Sequence, residues 1–413
     1  MLDIRFIREN KNKVQGMLTK RRVKIDVGHI LEIDDMRRKL IQEVEGLRKE
    51  RREVATQKDI EKGRILKEKL IKKEAALAGV VEELEENLEN LPNMLSPQVP
   101  PGDDEKDSVV VRQWGEIADF DFEAKDHLTL GKNLGIIDQE RAAKVSGHGF
   151  YYLVGDGARL EIALVSWVVD FLVEKGYTPI ITPELVRKRF VAATGYLPRR
   201  EKPDIYKIEN EDLFLVATAE IPIAAYHADE TFAVDTLPKN YIGFSSAFRA
   251  EAGSYGKYTH GIFRVHEFDK LEIFKFVKPE GSEKAYAEIL SLQEEIYQNL
   301  KVPYRVTLTC TGDMPAAAYL KHDLEYWDPV NKIYRELTSA SNTTDYQARR
   351  LNIKYSIQAA GGRVQGTEYV HTLNGTAVAL SRAIIAILEN YQQKDGKVLV
   401  PQVLRKYVGK ESL

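Results

Sequence analysis

Leucine, isoleucine and valine recur at every seventh position in two successive stretches of this chain. Ile33, Leu40, Leu47 and Val54 form the first series, with Met36, Val44 and Arg51 near the intervening positions. After a polar turn around Gln57 to Gly63 the second series follows: Leu70, Leu77, Leu84 and Leu91, with Leu66, Val80 and Leu88 close to its companion seam. A sustained seven-residue repeat needs a helical partner to cover its apolar stripe, and two long helices joined by a short turn find that partner in each other. The spacing therefore predicts an antiparallel coiled-coil arm over about residues 30–91, projecting roughly 40 Å at 1.5 Å rise per residue. Pro92 marks its end, because proline lacks the amide that the helical ladder needs. Residues 1–28 read as a short helix before the break at Gly28.

Charge on the arm is uneven. Between Arg48 and Lys73 eleven Lys or Arg stand against five Asp or Glu, whereas Glu82, Glu83, Glu85, Glu86 and Glu89 crowd the base. A solvated coiled-coil face laced with ion pairs accounts for such a run. Surplus positive charge on the distal half also suits a phosphate backbone, and exposed arginine can stack as well as pair. With a net charge of only −3 for the whole chain, a polyanion would have to be met by this local patch.

The arm leads into PNMLSPQVPPGDDEKDS, residues 92–108, whose Pro, Gly, Ser and Asp content reads as a linker. It divides the 413 residues into an N-terminal domain, 1–100, and a larger domain, 101–413. Cys310 is the only cysteine, which excludes an internal disulfide and a multi-cysteine zinc site and fits a reducing cytoplasm. The opening MLDIRFIREN is charged from its third residue and does not read as a signal peptide. The longest apolar run, Ile162 to Val173, is interrupted by Asp170 and is too short to span a bilayer. There is no G-x-G-x-x-G, no P-loop pattern and no H-E-x-x-H, so a nucleotide site of the Rossmann or P-loop kind is not expected.

The larger domain opens with helix-like pieces over 119–144 and an apolar helix from Leu160 to Gly176, suited to a core or an interface. Gly176 to Pro183 is extended, since Pro179 and Pro183 preclude helix. Phe214 to Glu220 reads as a strand ending in polar groups, Ser282 to Leu300 as a helix, and Tyr304–Leu308 and Leu324–Thr338 as strands. From Thr372 a strand or turn enters an apolar helix with Arg382 near its start. Between these lies Tyr241 to Phe276, two β-rich segments around a loop, Ala252 to Gly261. The first closes on Phe248-Arg249-Ala250-Glu251, read as an ion-pairing dyad, and the second carries Arg264, His266, Glu267, Asp269, Lys270 and Glu272. Polarity on both faces fits a charged edge hairpin. It equally fits a ligand cleft in which an arginine fork grips an anionic oxygen and carboxylates grip an amine or a metal. His260 and His266 read as ordinary hydrogen-bonded side chains.

Taken together, the helical arm, GYTPIITP, FRAE with its loop and polar strand, YRELTSASN and HTLNGTAVALSR closely resemble the bacterial seryl-tRNA synthetase family, class II aminoacyl-tRNA synthetases. The resemblance spans essentially the whole chain, in order. It implies an α+β fold: an antiparallel sheet flanked by helices, in a homodimer, with the arm gripping the long variable arm of tRNA(Ser). It also implies two reactions. Serine and ATP give seryl-adenylate and pyrophosphate, and serine then passes to the 3′ end of tRNA(Ser); tRNA(Sec) stays open as a second acceptor.

By the same resemblance Pro183 falls on the proline of motif 1 and the preceding apolar helix on the dimer interface. Arg249, Glu336 and Arg382 fall on catalytic positions. ATP binding falls to Arg249, Ala250, Glu251, Val265, Glu336, Leu337, Thr338, Ser339 and Arg382, with Mg²⁺ on Glu336 and Ser339. Serine binding falls to Thr218, Ala219, Glu220, Arg249, Glu272 and Thr376. In the arm, Arg48, Arg51, Arg52, Lys58, Lys62 and Arg64 are the expected tRNA contacts. Ala250 and Ala340 stand where the family often has Ser and Cys, and neither change removes a charge. The single cysteine argues against the zinc-dependent archaeal variant. A paralogue loading a carrier protein would lack the arm, and a non-catalytic RNA-binding relative would lose Arg249, Glu272, Glu336 or Arg382; all are present.

Overall fold

The computed structural model describes residues 1–197, 204–251, 261–358 and 364–413. The chain divides into two compact units, Met1–Met94 and Leu95–Leu413, so the boundary falls within the Pro-rich 92–108 segment.

Unit 1 begins with two short helices rather than one, α1 (Ile4–Glu9) and α2 (Lys11–Lys20). Asn10 separates them, with φ −125° and its side-chain amide donating back to the Phe6 carbonyl at 3.0 Å. α3 (Val27–Thr56) and α4 (Ile60–Glu89) then pack along each other as an antiparallel pair. Asp26 and Asp59 start them by accepting from the Gly28 and Lys62 amides, satisfying donors that a helix N-terminus leaves open. Ile33, Val44, Val54, Leu66, Leu70, Leu84 and Leu88 are buried in the seam. Leu40, Leu47 and Leu77 are half-buried, whereas Met36 and Arg51 lie off the seam and are exposed. Pairs Glu43–Lys73 (2.6 Å) and Arg48–Glu74 (2.7 Å) cross from helix to helix and help set the register.

Unit 2 opens with β1 (Val109–Trp114), α5 (His127–Asn133), β2 (Ile137–Asp138), α6 (Gln139–Ser146), β3 (Tyr152–Leu153) and α7 (Asp156–Glu174). Then come β4 (Thr178–Ile181), β5 (Leu185–Arg187), α8 (Lys188–Thr194), β6 (Leu213–Leu215), α9 (Glu220–Tyr226), β7 (Thr231–Phe232), β8 (Lys239–Phe248) and β9 (Glu267–Val277). The rest is α10 (Ser282–Asn299), β10 (Tyr304–Leu308), β11 (Leu320–Asp328), β12 (Ile333–Thr344), α11 (Tyr346–Leu351), β13 (Lys354–Gln358), β14 (Val364–Tyr369), β15 (His371–Ala379), α12 (Leu380–Asn390) and α13 (Arg405–Val408). Eight strands form the main sheet in the order β1-β10-β11-β12-β15-β9-β8-β4. Every pairing is antiparallel except β4 with β8.

The sheet has two unlike faces. Leu271, Ile273 and Val277 of β9 join the main core with Ile289 and Ile296 of α10 and Ile384 and Ile387 of α12. Lys270, Glu272, Phe274 and Phe276 alternate onto the other face, where Phe274 and Phe276 pack with Ile223 of α9 and Ala348 of α11. Helix α9 lies close on that face because Gly243 of β8 has no side chain; a Cβ there would stand 2.2 Å from Ile223 Cδ1.

Three local expectations change. The β8–β9 hairpin is not a sheet edge: β9 sits between β15 and β8, its buried Lys270 pairs with buried Glu272 at 2.6 Å, and its buried Lys275 reaches the part-exposed Glu288 at 2.7 Å. Leu324–Thr338 is not one strand but the end of β11, a turn and the start of β12, with Asp328 accepting from the Val330 and Asn331 amides. Phe214–Glu220 yields only β6, and Glu220 begins α9. The helix-like region 119–144 holds only α5 and α6 as helices. Of the hairpin loop, 252–260, including His260, lies outside the described residues.

Candidate active site

The polar face of the central strands lines a cleft. Glu220, Arg249, Phe268, Lys270, Glu272, Lys321, Glu336, Ser339, Thr376 and Arg382 surround it, with Thr194–Tyr196 and Pro315–Ala318 closing its sides. Arg249 follows the last residue of β8, its amide donating to the His266 carbonyl at 2.9 Å and so carrying the ladder one step further. Its guanidinium lies 5.2 Å from the Phe268 ring centre, a cation–π approach that holds the fork over the cleft floor. Its neighbour Glu251 does not pair with it. Glu251 has a positive φ of 47°, which turns the carboxylate away to Arg264 at 3.2 Å, so the FRAE segment is not an ion-pairing dyad.

A strand alternates faces, so Glu336 and Ser339, three apart on β12, would normally point to opposite sides. The register against β11 runs from Leu324–Thr338 to Glu325–Glu336, passing over Leu337. This bulge turns Glu336 back onto the cleft side with Ser339. Arg382, on the first turn of α12, meets Glu336 at 3.0 Å and lies 4.6 Å from the Phe263 ring centre. Desolvation in the cleft raises the Glu336 pKa, but the charges of Arg382 and Lys321 outweigh it and hold the carboxyl below its ordinary range. Burial likewise opposes the charged form of Lys321, and Asp323, 2.6 Å away, together with Glu336 overrides it and raises that pKa. Arg249, Lys321 and Arg382 thus line the same cleft, fitted to a polyanion.

The opposite end is acidic. Glu272 is 2 % exposed; one oxygen takes Lys270 at 2.6 Å and the Thr376 hydroxyl at 3.2 Å, and the other has no hydrogen bond among the described residues. Glu220 accepts from the Tyr196 hydroxyl (2.7 Å), the Gln347 amide (2.7 Å) and the Asn374 amide (2.9 Å). Burial, and then the charge of Glu272, push its carboxyl up to about 7. A second positive group between these carboxylates would relieve that repulsion, so the pocket is fitted to a small ammonium compound.

Of the residues expected at the site, Glu220, Arg249, Glu272, Glu336, Leu337, Thr338, Ser339, Thr376 and Arg382 line the cleft, whereas Thr218, Ala219, Ala250, Glu251 and Val265 do not. Thr218 is fully buried, its hydroxyl accepting from the Glu220 amide at 3.2 Å. His266 is a hydrogen-bonded side chain, with Nδ1 2.9 Å from the Arg249 carbonyl oxygen. The sequence assigned no site role to Tyr196, Lys270, Lys321, Gln347 and Asn374, which come from five separate segments, although Asn374 lies within HTLNGTAVALSR. Lys270 had a second signal, its place two residues from Glu272 on one strand face.

An antiparallel sheet with an arginine at the hairpin end, another at the start of the following helix and a polar cleft between them defines the catalytic core of a class II aminoacyl-tRNA synthetase. Residues 205–391 match the family model described as tRNA synthetase class II core domain (G, H, P, S and T), and residues 1–95 match the Seryl-tRNA synthetase N-terminal domain. The chain belongs to the seryl-tRNA synthetase family. It is 46 % identical to the serine–tRNA ligase of Rubrobacter xylanophilus, covering 100 % of this chain and 98 % of that one. It is 45 % identical to that of Dictyoglomus turgidum, covering 99 % and 98 %. The crystal structure of seryl-tRNA synthetase from Pyrococcus horikoshii complexed with ATP superposes with a TM-score of 0.93 at 40 % identity, covering 100 % of this chain and 99 % of that one. The cytoplasmic enzyme of Naegleria fowleri in complex with AMP gives 0.90 at 34 % identity, covering 100 % and 98 %.

Proposed function

We infer that this protein is a serine–tRNA ligase that activates L-serine with ATP and transfers it to tRNA(Ser). The observation that carries the reading is the cleft with cations at one end and paired carboxylates at the other. At the first end Arg249 and Arg382 bind phosphate oxygens with charge-assisted forks. Arg249 lies where it can also reach the reacting carboxylate, so that charge building on the α-phosphate is met by a preorganised donor. At the other end Glu272 and Thr376 hold the ammonium and hydroxyl of serine, with Glu220 as the second carboxylate. A site made of such groups rejects alanine, which would leave buried polar atoms unpaired. Leu337 and Thr338 shape the nucleotide side together with Ala250, Glu251 and Val265, and Thr218 and Ala219 belong to the serine side. Glu336 and Ser339 offer a carboxylate and a hydroxyl on one face, the hard-oxygen pair that fits Mg²⁺, which when bound would neutralise phosphate charge.

In the arm, Arg51, Arg52, Lys58 and Arg64 are exposed to solvent, while Arg48 and Lys62 are exposed side chains tied to Glu74 and Glu50. Unit 1 is the tRNA-binding domain in this reading, and these six residues meet the phosphates of the variable arm. Ile162 of α7 is 66 % exposed and Ile181 of the edge strand β4 is 84 % exposed. Large apolar side chains beside an unpaired strand edge fit a homodimer interface, with Pro183 at its border. No helix among the described residues is long and apolar enough to cross a membrane, and we place the enzyme in the cytoplasm.

Charging tests the reading directly. Labelled serine with ATP and Mg²⁺ should load intact tRNA(Ser) and not the same tRNA stripped of its long variable arm. Equal loading of both would remove the arm's role, and loading of neither by folded protein would remove the activity; tRNA(Sec) is tested in the same assay.

Acidity near 7 at Glu220 gives a second expectation. The carboxylate form grows as pH rises, and only that form attracts the serine ammonium. The KM for serine in pyrophosphate exchange should therefore fall by up to about tenfold between pH 6 and 8, following the ionised fraction of such an acid. Glu220→Gln should flatten this slope; a KM independent of pH in the unaltered enzyme would show that Glu220 ionises well below 6.

A further inference from the structure

The ends of α12 are joined by a closed circuit of contacts that passes outside the cleft. Arg382 stands at its start and Glu389 at its end, seven residues apart and so on one stripe of the helix. Glu389 is 3 % exposed; Oε1 lies 2.8 Å from Nδ1 of His127, itself 5 % exposed, and Oε2 accepts from the Tyr326 hydroxyl at 3.2 Å. On the far side of the imidazole, Nε2 accepts the Ile262 amide at 3.2 Å. Only the tautomer with its proton on Nδ1 satisfies both bonds, and the carboxylate of Glu389 selects it. Gly261, at φ +85°, lies so close that a Cβ there would stand 2.0 Å from His127 Nε2, and its carbonyl accepts from the Gln139 side chain at 3.0 Å. One residue further on, the Phe263 ring lies 4.6 Å from the Arg382 guanidinium carbon. The circuit runs Arg382, Phe263, Ile262, His127, Glu389 and back along the helix.

We propose that His127 and Glu389 are positioning residues for ATP: they fix the backbone at Gly261–Ile262 so that Phe263 holds the Arg382 guanidinium toward the polyphosphate. A buried His–carboxylate pair is a costly way to fill space, because each group must keep its partner. Here the pair spends its one outward-facing acceptor on a single backbone amide beside the hairpin's return. The ring on which Arg382 rests is the next residue. The proposal rests on the reading of Arg382 as a polyphosphate-binding residue.

Pyrophosphate exchange by the full-length protein, with ATP and serine varied separately, tests it. In His127→Asn the amide can replace Nδ1 but does not reach Ile262; in His127→Gln the longer side chain can accept from that amide. His127→Asn should raise the KM for ATP about tenfold while leaving the KM for serine within about twofold, and His127→Gln should recover most of the loss. Thermal unfolding of both variants accompanies the kinetics, because a merely structural histidine would lower Tm in both and move the two KM values together. Unchanged ATP KM in folded His127→Asn, or parallel rises for ATP and serine, would overturn the proposal. Gln139→Ala loses the neighbouring bond to Gly261 from a part-exposed site, and should raise the ATP KM about threefold. If His127→Asn does not fold, an unchanged ATP KM in Gln139→Ala overturns the proposal instead. Arg382→Ala separates the two layers: if ATP KM and exchange survive that change, the reading of Arg382 fails, whatever His127 does.

Discussion

Replacing Arg249 by alanine should lower serine-dependent pyrophosphate exchange by about a thousandfold while leaving the protein folded, on the scale of losing a preorganised transition-state donor. The side chain is part-exposed and rests on a long 3.5 Å bond to the Ala217 carbonyl and the face of Phe268, so its removal opens no core cavity. The loss should therefore appear in kcat and kcat/KM with little change in Tm. Arg249→Lys should recover only a small part, because an ammonium restores the charge without the two-pronged geometry. Near-normal exchange in Arg249→Ala would end the assignment of this cleft as the adenylate-forming site.

Deleting the arm should separate the two half-reactions. Replacing Ile33–Leu88 by a short glycine-rich turn removes a segment that is buried mainly against itself, through Ile33, Val44, Val54, Leu66, Leu70, Leu84 and Leu88. Unit 2 keeps its own core and every residue that lines the cleft. Pyrophosphate exchange should stay within about twofold, whereas charging of tRNA(Ser) should drop by about a hundredfold or more, as expected when several phosphate contacts are lost. Raising salt in the intact protein should weaken charging more than exchange for the same reason. If the truncated protein charges tRNA(Ser) normally, the surplus of Lys and Arg between Arg48 and Lys73 is only a solvated face.

Much of this molecule was legible in one dimension, and the parts that were share a property. A heptad series is a local rule repeated, so Ile33–Val54 and Leu70–Leu91 declared an antiparallel helical pair without reference to anything distant. Composition alone suggested a linker over 92–108, but the compact units divide at Met94–Leu95, and the Ser96 amide donates to the Tyr319 carbonyl at 2.9 Å and the Thr311 amide to the Pro100 carbonyl at 3.0 Å within unit 2. The FRAE, SASN and GTAVALSR segments pointed to Arg249, Ser339 and Arg382 through resemblance, and the structure brings those three to one cleft.

What the tertiary structure alone decided lies between segments. A strand's period of two puts Glu336 and Ser339 on opposite faces, and only the pairing of β12 with β11, with Leu337 passed over, turns both toward the cleft. The polarity of β9 left an edge and a ligand cleft both open because sequence does not show partners; in the fold Lys270 finds Glu272 beside it and Lys275 finds Glu288 on α10. Likewise the raised pKa of Glu220 depends on burial and on Glu272, and the three donors that hold it come from Tyr196, Gln347 and Asn374. Periodicity and composition determined the arm and the residue types available for catalysis. Which charges meet, and at what separation, was decided by strand register and helix packing, because electrostatic energy depends on distances through space that sequence separation does not encode.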